Sequence, residues 1–353
     1  MRAPALSRRG PRLEAALAPL LLLAAASCAK KGPPSGGPPD ITPPRVVSAS
    51  PDSGTARVAL DAKLSLTFSE GMEPRSTGDA VALAPRVDIR QRRWSARTLT
   101  LVLEQPLRAR QTYTLLVGAS ARDRHGNPLA QGKAIVFSTA DSFPPGLLEG
   151  TIEARGFAVQ GTTLWCYAWP KAPDSTARDF DAIGLADADG RFRIPGLPAP
   201  GRYRLWAFAD LNNNRSFEPD KDVLAPADTV LDLSAGAARV SGLQLHVVNP
   251  RAPGHVRGVV VDSTGDSLGV VRVAAISQAD SSRRVMVEAD PKGAFDLELP
   301  AETWTVRAFR DRDRNRAWRV DLEPASPVEV VQVEPAATLT GVVLRLRRML
   351  GGP

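Results

Sequence analysis

Leu205-Trp206-Ala207-Phe208-Ala209-Asp210-Leu211-Asn212-Asn213-Asn214-Arg215 returns 101 residues downstream as Val306-Arg307-Ala308-Phe309-Arg310-Asp311-Arg312-Asp313-Arg314-Asn315-Arg316. Both copies begin as a run with alternating apolar positions and break into a cluster of Asp and Asn. Period two marks a strand with one buried face, and clusters of turn-forming residues mark where strands end. Other pieces line up at drifting offsets: Asp189-Gly190-Arg191-Phe192 with Lys292-Gly293-Ala294-Phe295 at 103, and Gly150 with Gly258 at 108. A drifting offset means one strand set used twice with loops of unequal length, so the chain holds a duplicated domain and not a solenoid of fixed period. Each copy opens on a strand (148–154 and 256–262), turns into a Gly-x-Phe strand, and reaches a further alternating strand (203–208 and 304–309).

Upstream of the duplication, 45–140 reads in the same way. Leu64, Leu66 and Phe68 alternate with Ser65 and Thr67; Leu99, Leu101 and Leu103 repeat the pattern, as do Tyr113, Leu115 and Val117. Asp52-Ser53-Gly54, Glu73-Pro74 and His125-Gly126-Asn127-Pro128 punctuate these runs as turns. No stretch has helical periodicity. Short strands at this spacing predict a β-sandwich, and the whole predicts an all-β chain with three β-sandwich domains in series: 45–140, 146–250 and its duplicate 254–347.

The motif residues of the first segment resemble a known family. Ser50-Pro51 with Gly54, Leu66-Thr67-Phe68-Ser69-Glu70 with Met72, Asp123 with Gly126-Asn127-Pro128-Leu129, and Phe137-Ser138-Thr139 fall in the order of the bacterial Ig-like domain first seen in S-layer proteins. That resemblance implies a spacer or adhesive module without catalytic residues. Gly190-Arg191-Phe192-Arg193-Ile194 with Gly201-Arg202-Tyr203-Arg204-Leu205, and in the second copy Gly258-Val259-Val260-Val261-Asp262 with Gly293-Ala294-Phe295-Asp296-Leu297, look like the prealbumin-like, or carboxypeptidase regulatory-like, sandwich. This too implies a non-catalytic module.

Before the first strand lies a leader. Arg2, Arg8, Arg9 and Arg12 precede an apolar run from Ala15 to Ala26 that contains Pro19. That run is too short to span a hydrocarbon core, which needs about 20 residues. A basic start, a short apolar run and a small-residue end read as a secretory signal over 1–27. Ala25-Ala26-Ser27-Cys28 resembles the bacterial lipoprotein signal, which implies cleavage before Cys28 and a lipid on its thiol; Ala stands where that family most often has Leu. The alternative is an ordinary cleaved signal with an incidental cysteine. Residues 28–44 hold the lipidated Cys and a Pro/Gly-rich tether with too few apolar side chains for a core. The expected place is the outer membrane or cell envelope, lipid-anchored, either periplasmic or surface-exposed; Ala29 is not the Asp that in some bacteria retains lipoproteins at the inner membrane.

Composition narrows the function. The formal charge of +7 includes a leader of four Arg and one Glu, and the small remainder does not argue for nucleic acid. Of two cysteines, Cys166 sits 138 residues from Cys28 amid alternating apolar neighbours, which predicts a buried strand thiol and no disulfide. The three histidines, His125, His246 and His255, have no metal-type spacing and no adjacent nucleophile. No nucleophile elbow, phosphate loop or metalloprotease helix is present. The chain reads as non-enzymatic.

The duplicated acidic loop is the one constellation with chemistry in it. Asp210-x-Asn212-x-Asn214 sets oxygen-bearing side chains at alternate positions, as the first half of a calcium loop requires, with Glu218 and Asp220 following and Ser216 and Asp222 nearby. Arg215 replaces the turn glycine and Lys221 the bidentate glutamate. Asp311-x-Asp313-x-Asn315 keeps the core, but Arg310, Arg312, Arg314, Arg316 and Arg319 surround it and should repel a divalent ion. The competing reading is that these Asp and Asn residues only build turns. Two further features are a basic run, Arg86, Arg90, Arg92, Arg93 and Arg97 around Trp94, read as a solvated strand face or a surface for lipid A phosphates or acidic glycans, and Trp165, Trp169 and Trp206, read as sandwich core or a sugar-stacking platform. No cofactor is expected, unless these loops hold calcium. The expected partners are the membrane through the lipid and an envelope protein or glycan.

Overall fold

A computed structural model describes residues 38–173, 179–212, 214 and 217–347; the leader and Cys28 lie outside them. The described chain is all-β apart from one six-residue helix, and its described residues from Thr42 onward form one compact unit. No helix among the described residues is long and apolar enough to cross a membrane.

The first part comprises β1 (Val46–Ser50), β2 (Leu64–Phe68), α1 (Pro74–Asp79), β3 (Val81–Ala84), β4 (Ile89–Ser95), β5 (Thr98–Leu103), β6 (Thr112–Val117) and β7 (Lys133–Ser138). Two sheets, β1-β2-β5-β4 and β3-β6-β7, face each other. The alternating Leu64, Leu66, Phe68, Leu99, Leu101, Tyr113, Leu115 and Phe137 fill the space between them. Glu73-Pro74 is not merely a turn. The Glu73 carboxylate accepts from the amides of Arg75 (3.0 Å) and Ser76 (2.6 Å), and Pro74 takes the first helical position, so the chain winds into α1. A helix this short shows no period in sequence.

The next part comprises β8 (Gly146–Arg155), β9 (Thr163–Ala168), β10 (Ala182–Leu185), β11 (Arg191–Leu197), β12 (Gly201–Ala209), β13 (Val223–Pro226), β14 (Leu231–Leu233) and β15 (Arg239–Val248). The last comprises β16 (Gly254–Asp262), β17 (Val270–Ser277), β18 (Arg284–Glu288), β19 (Ala294–Leu299), β20 (Thr303–Asp311), β21 (Glu329–Gln332) and β22 (Thr338–Leu346). Their topologies share one plan: β11-β8-β15 opposes the five-stranded β10-β9-β12-β13, in which β14 also pairs with the start of β12, and β19-β16-β22 opposes the four-stranded β18-β17-β20-β21, in which β21 takes the place of β14. In each, the last strand returns to lie parallel to the first, β15 on β8 and β22 on β16. Each pair of sheets encloses its own core, around Leu205 and Ala207 in one copy and Val306 and Ala308 in the other.

The matched glycines have a structural cause. A Cβ on Gly150 would sit 2.2 Å from the Leu243 carbonyl oxygen, and one on Gly258 2.0 Å from that of Val342. Both lie where the parallel partner strand slips register, between Val240 and Leu243 on β15 and beside the irregularity between Val256 and Gly258 on β16. Only a residue without a side chain lets the backbones approach so closely.

The tryptophans correct the expectation that they are sandwich core. On β9, Leu164 and Cys166 point into the second core while Trp165 and Tyr167 point out of the opposite face. There they join Phe180, Ile183 and Phe208 against Ala84 and Leu116 of the first part. Trp165 stacks on Phe208 at 4.5 Å and on Phe180 at 5.8 Å. Trp206 is half-buried and Trp169 is 41% exposed. A strand apolar on both faces is buried on both, one face by its own sandwich and the other by its neighbour. Inward-facing Cys166 is wholly buried, and burial pushes its thiol far above the ordinary range, with Asp181 adding to the shift.

Candidate functional site

β12 and β20 each run out of a core into the duplicated loop, so both loops hang from the same corner of their sandwiches. In the first, the Oδ1 atoms of Asp210 (3.1 Å) and Asn212 (3.0 Å) both accept from the Asn214 amide. The side-chain amides of Asn212 (2.6 Å) and Asn214 (2.7 Å) both donate to Glu218 Oε2. Lys221 bonds the other Glu218 oxygen at 3.2 Å. Lys221 first, then the two asparagines, hold this carboxyl below its ordinary value. Four of the predicted residues therefore converge: Asp210, Asn212, Asn214 and Glu218. Asp220 stays exposed on the turn that the Glu218 carbonyl closes onto the amides of Lys221 and Asp222.

The loop is fastened from below by Asp222, which is 3% exposed. Its two oxygens accept from the amides of Leu211 (3.1 Å) and Glu218 (2.8 Å), one at each end of the loop. The second loop repeats this with Glu323, fully buried, accepting from Arg312 (2.9 Å) and Arg319 (2.9 Å). Residues 222 and 323 stand at the same 101-residue offset as the strands before them. Glu323 carries no motif of its own, since the visible likeness between the two copies ends at Arg316. Extending that offset finds it.

In the second loop Asp311, Asp313 and Glu323 bring carboxylate oxygens within 4.8 Å of one another. Asn315 bonds within the loop, to Asp313 through its amide (3.3 Å) and side chain (3.0 Å). Three of the five arginines around it are held in ion pairs rather than facing it as loose charges. Arg310 pairs with Asp262, Arg312 with Asp266 (2.6 Å) and Arg319 with Asp313 (2.7 Å). Arg272 on β17 donates its Nε to Asp311 Oδ2 at 2.7 Å. Burial pushes the Asp311 carboxyl up, but Arg272 and the loop amides outweigh it and hold it below its ordinary value. Arg272 lies opposite Phe309 on β20, and the equivalent place on β9, opposite Phe208, is Thr163. One loop thus has a cation built into the strand beneath it, and the other has a hydroxyl there.

The first loop also lies at a joint. Arg251, in the segment between β15 and β16, donates to the carbonyls of Pro219 (3.3 Å) and Asp222 (3.0 Å). Asn249 caps the same segment, accepting from the Arg251 amide at 3.0 Å and donating to Gly156 O at 3.3 Å. The histidines are dispersed: His246 pairs with Glu153 (3.0 Å) and His255 with Asp296 (2.8 Å). The basic run falls mostly on β4, the edge of its sheet, with Arg90, Arg92 and Arg93 exposed. Charged side chains on an unpaired edge oppose strand-to-strand association.

The described chain is thus a β-sandwich protein built of modules in succession, with joints that are themselves packed. Residues 40–139 match the family model of the bacterial Ig-like domain, the resemblance read from the motifs of that segment. No curated protein matches the chain. Among solved structures it is similar to the Bacillus anthracis TIE protein (12% identity, TM-score 0.24, 93% of this chain and 62% of that one). It is also similar to the shaft pilin SpaA of Lactobacillus rhamnosus (11%, 0.25, 58% and 99%) and to an L,D-transpeptidase of Mycobacterium smegmatis (14%, 0.23, 58% and 90%). The chain spans 62% of the length of the TIE protein.

Proposed function

We propose that this protein is a non-catalytic, lipid-anchored arm of the bacterial envelope, in which β-sandwich modules are held in fixed succession for a structural or adhesive role. The observation that carries this reading is the packing of the joints: the aromatic seam between the first two cores, and Arg251 bridging from the segment before the third onto the first acidic loop. Cys28 is the proposed lipid site and 28–44 the tether that lifts the modules from the membrane. Fractionation of cells expressing wild-type and Cys28→Ala chains tests the anchor. The wild type is expected in the membrane fraction and the variant in the soluble fraction; identical partition of the two contradicts it.

A second reading concerns the first loop. Asp210, Asn212, Asn214 and Glu218 converge on one another, and the strand beneath offers Thr163 where the duplicate offers Arg272. In this reading an external hard cation such as calcium does for the first loop what the guanidinium does for the second, while Asp311, Asp313 and Asn315 are served by arginine. Millimolar calcium is then expected to raise the melting temperature of the protein, and Asp210→Ala to remove the rise. An unchanged melting curve of the wild type contradicts it.

A further inference from the structure

Beside the aromatic seam, a cleft of about 860 Å³ opens between the first two sandwiches. That volume lies in the range of small-ligand sites, which favour junctions between domains. The buried edge of the seam, Trp165 and Phe208, closes its apolar end, and Thr162, Gln160, Arg92 and Arg122 also line it. Thr162 is 3% exposed and its hydroxyl has no hydrogen-bond partner, an orphaned group at the wall of a cavity large enough to supply one. Arg92 is anchored through Nε on the Gly78 carbonyl (3.0 Å) and Arg122 through one terminal nitrogen on the Gly126 carbonyl (2.7 Å). A guanidinium carries five N–H donors in a fixed fork, so each anchored side chain has donors left for a ligand.

Three arginines line the cleft, and three aspartates match them. The balance removes the attraction that a phosphate-rich or polyuronate ligand would need. Planar side chains with several N–H donors suit the vicinal hydroxyl groups of a sugar.

We propose that this cleft binds a short neutral oligosaccharide. The proposal rests on the reading of the chain as an envelope interaction module and gives that module a ligand class and a place.

The test uses the purified full chain in detergent on an array of neutral gluco-, manno- and galacto-oligosaccharides from disaccharide to hexasaccharide, with uronic-acid and phosphorylated chains as the acidic arm. Calorimetric titration of the best neutral binder into variants follows. Arg92→Ala and Gln160→Ala, both at exposed positions, are each expected to weaken binding about tenfold in a protein that still unfolds cooperatively. Ala158→Trp, also exposed and on the cleft wall, is expected to abolish it by occupying the space. No neutral oligosaccharide bound at millimolar concentration, stronger binding of the acidic chains, or equal affinity in all three variants would each overturn the proposal. Membrane fractionation is unaffected by any of these results, so failure here is distinct from failure of the anchor.

Discussion

Asp222 and Glu323 show how little of a site lies in its most visible residues. The Asp-x-Asn pattern draws the eye, but the shape of each loop depends on one buried carboxylate that takes an amide from either end. Removing it strands two backbone donors, and a buried unsatisfied donor costs about 1–3 kcal/mol. Asp222→Ala and Glu323→Ala should therefore each destabilise the protein by about 2–4 kcal/mol in urea titration, and Glu323→Gln, which keeps one acceptor, by less. Asp311 carries the pH dependence of the second loop. Its folded pKa lies below its ordinary value of 3.8, so its contribution is present above the unfolded pKa and is lost as pH falls through the folded one. Acid unfolding monitored by fluorescence should accordingly begin below about pH 4, and Asp311→Asn should flatten that limb. An unchanged acid limb contradicts the Arg272–Asp311 pairing. The convergence of Asp210, Asn212, Asn214 and Glu218 was legible from their spacing. The pairing of Arg310 and Arg312 was not, because Asp262 and Asp266 come from a strand and turn 48 and 46 residues away.

At the scale of elements, alternation in 64–68, 99–103, 205–209 and 306–310 predicted the strands, because one core face per strand leaves a period-two signature. The closing parallel strands were not legible. β15 and β22 meet β8 and β16 only after 92–93 and 83–84 residues respectively, and nothing local names the partner. Gly150 and Gly258 were the signal: they matched across the copies without an evident turn to explain them. Gly150→Ala or Gly258→Ala forces a Cβ onto a carbonyl oxygen, and a loss on the order of 3 kcal/mol is expected in chemical denaturation. A loss under about 0.5 kcal/mol, the range of ordinary surface changes, contradicts the close approach. The arginines of β4 are predicted to keep that edge monomeric. Replacing Arg90 and Arg93 with Thr should leave the fold intact and produce concentration-dependent association in light scattering, whereas a strictly monomeric variant would remove the edge-protecting role.

In the whole molecule, the three cores follow from the strand pattern, but the joints do not. An apolar residue on a strand announces burial without saying against what, so Trp165 and Phe208 read as core until the neighbouring sandwich is placed beside them. The seam makes the second sandwich depend on the first. Trp165→Ala removes a large buried side chain from it, and about 3–5 kcal/mol is the usual cost of such a truncation. Because Leu164 and Cys166 still face the second core, the expected outcome is separated modules and not an unfolded one. Arg251 restrains the third sandwich in the same sense, by hydrogen bonds and not by apolar packing. Small-angle X-ray scattering from residues 38–353 tests the fixed succession most directly. A wild-type profile reproduced by a single arrangement of the modules, with Trp165→Ala broadening it into an ensemble, is the predicted result; a wild-type profile that itself requires freely reorienting sandwiches would contradict the account.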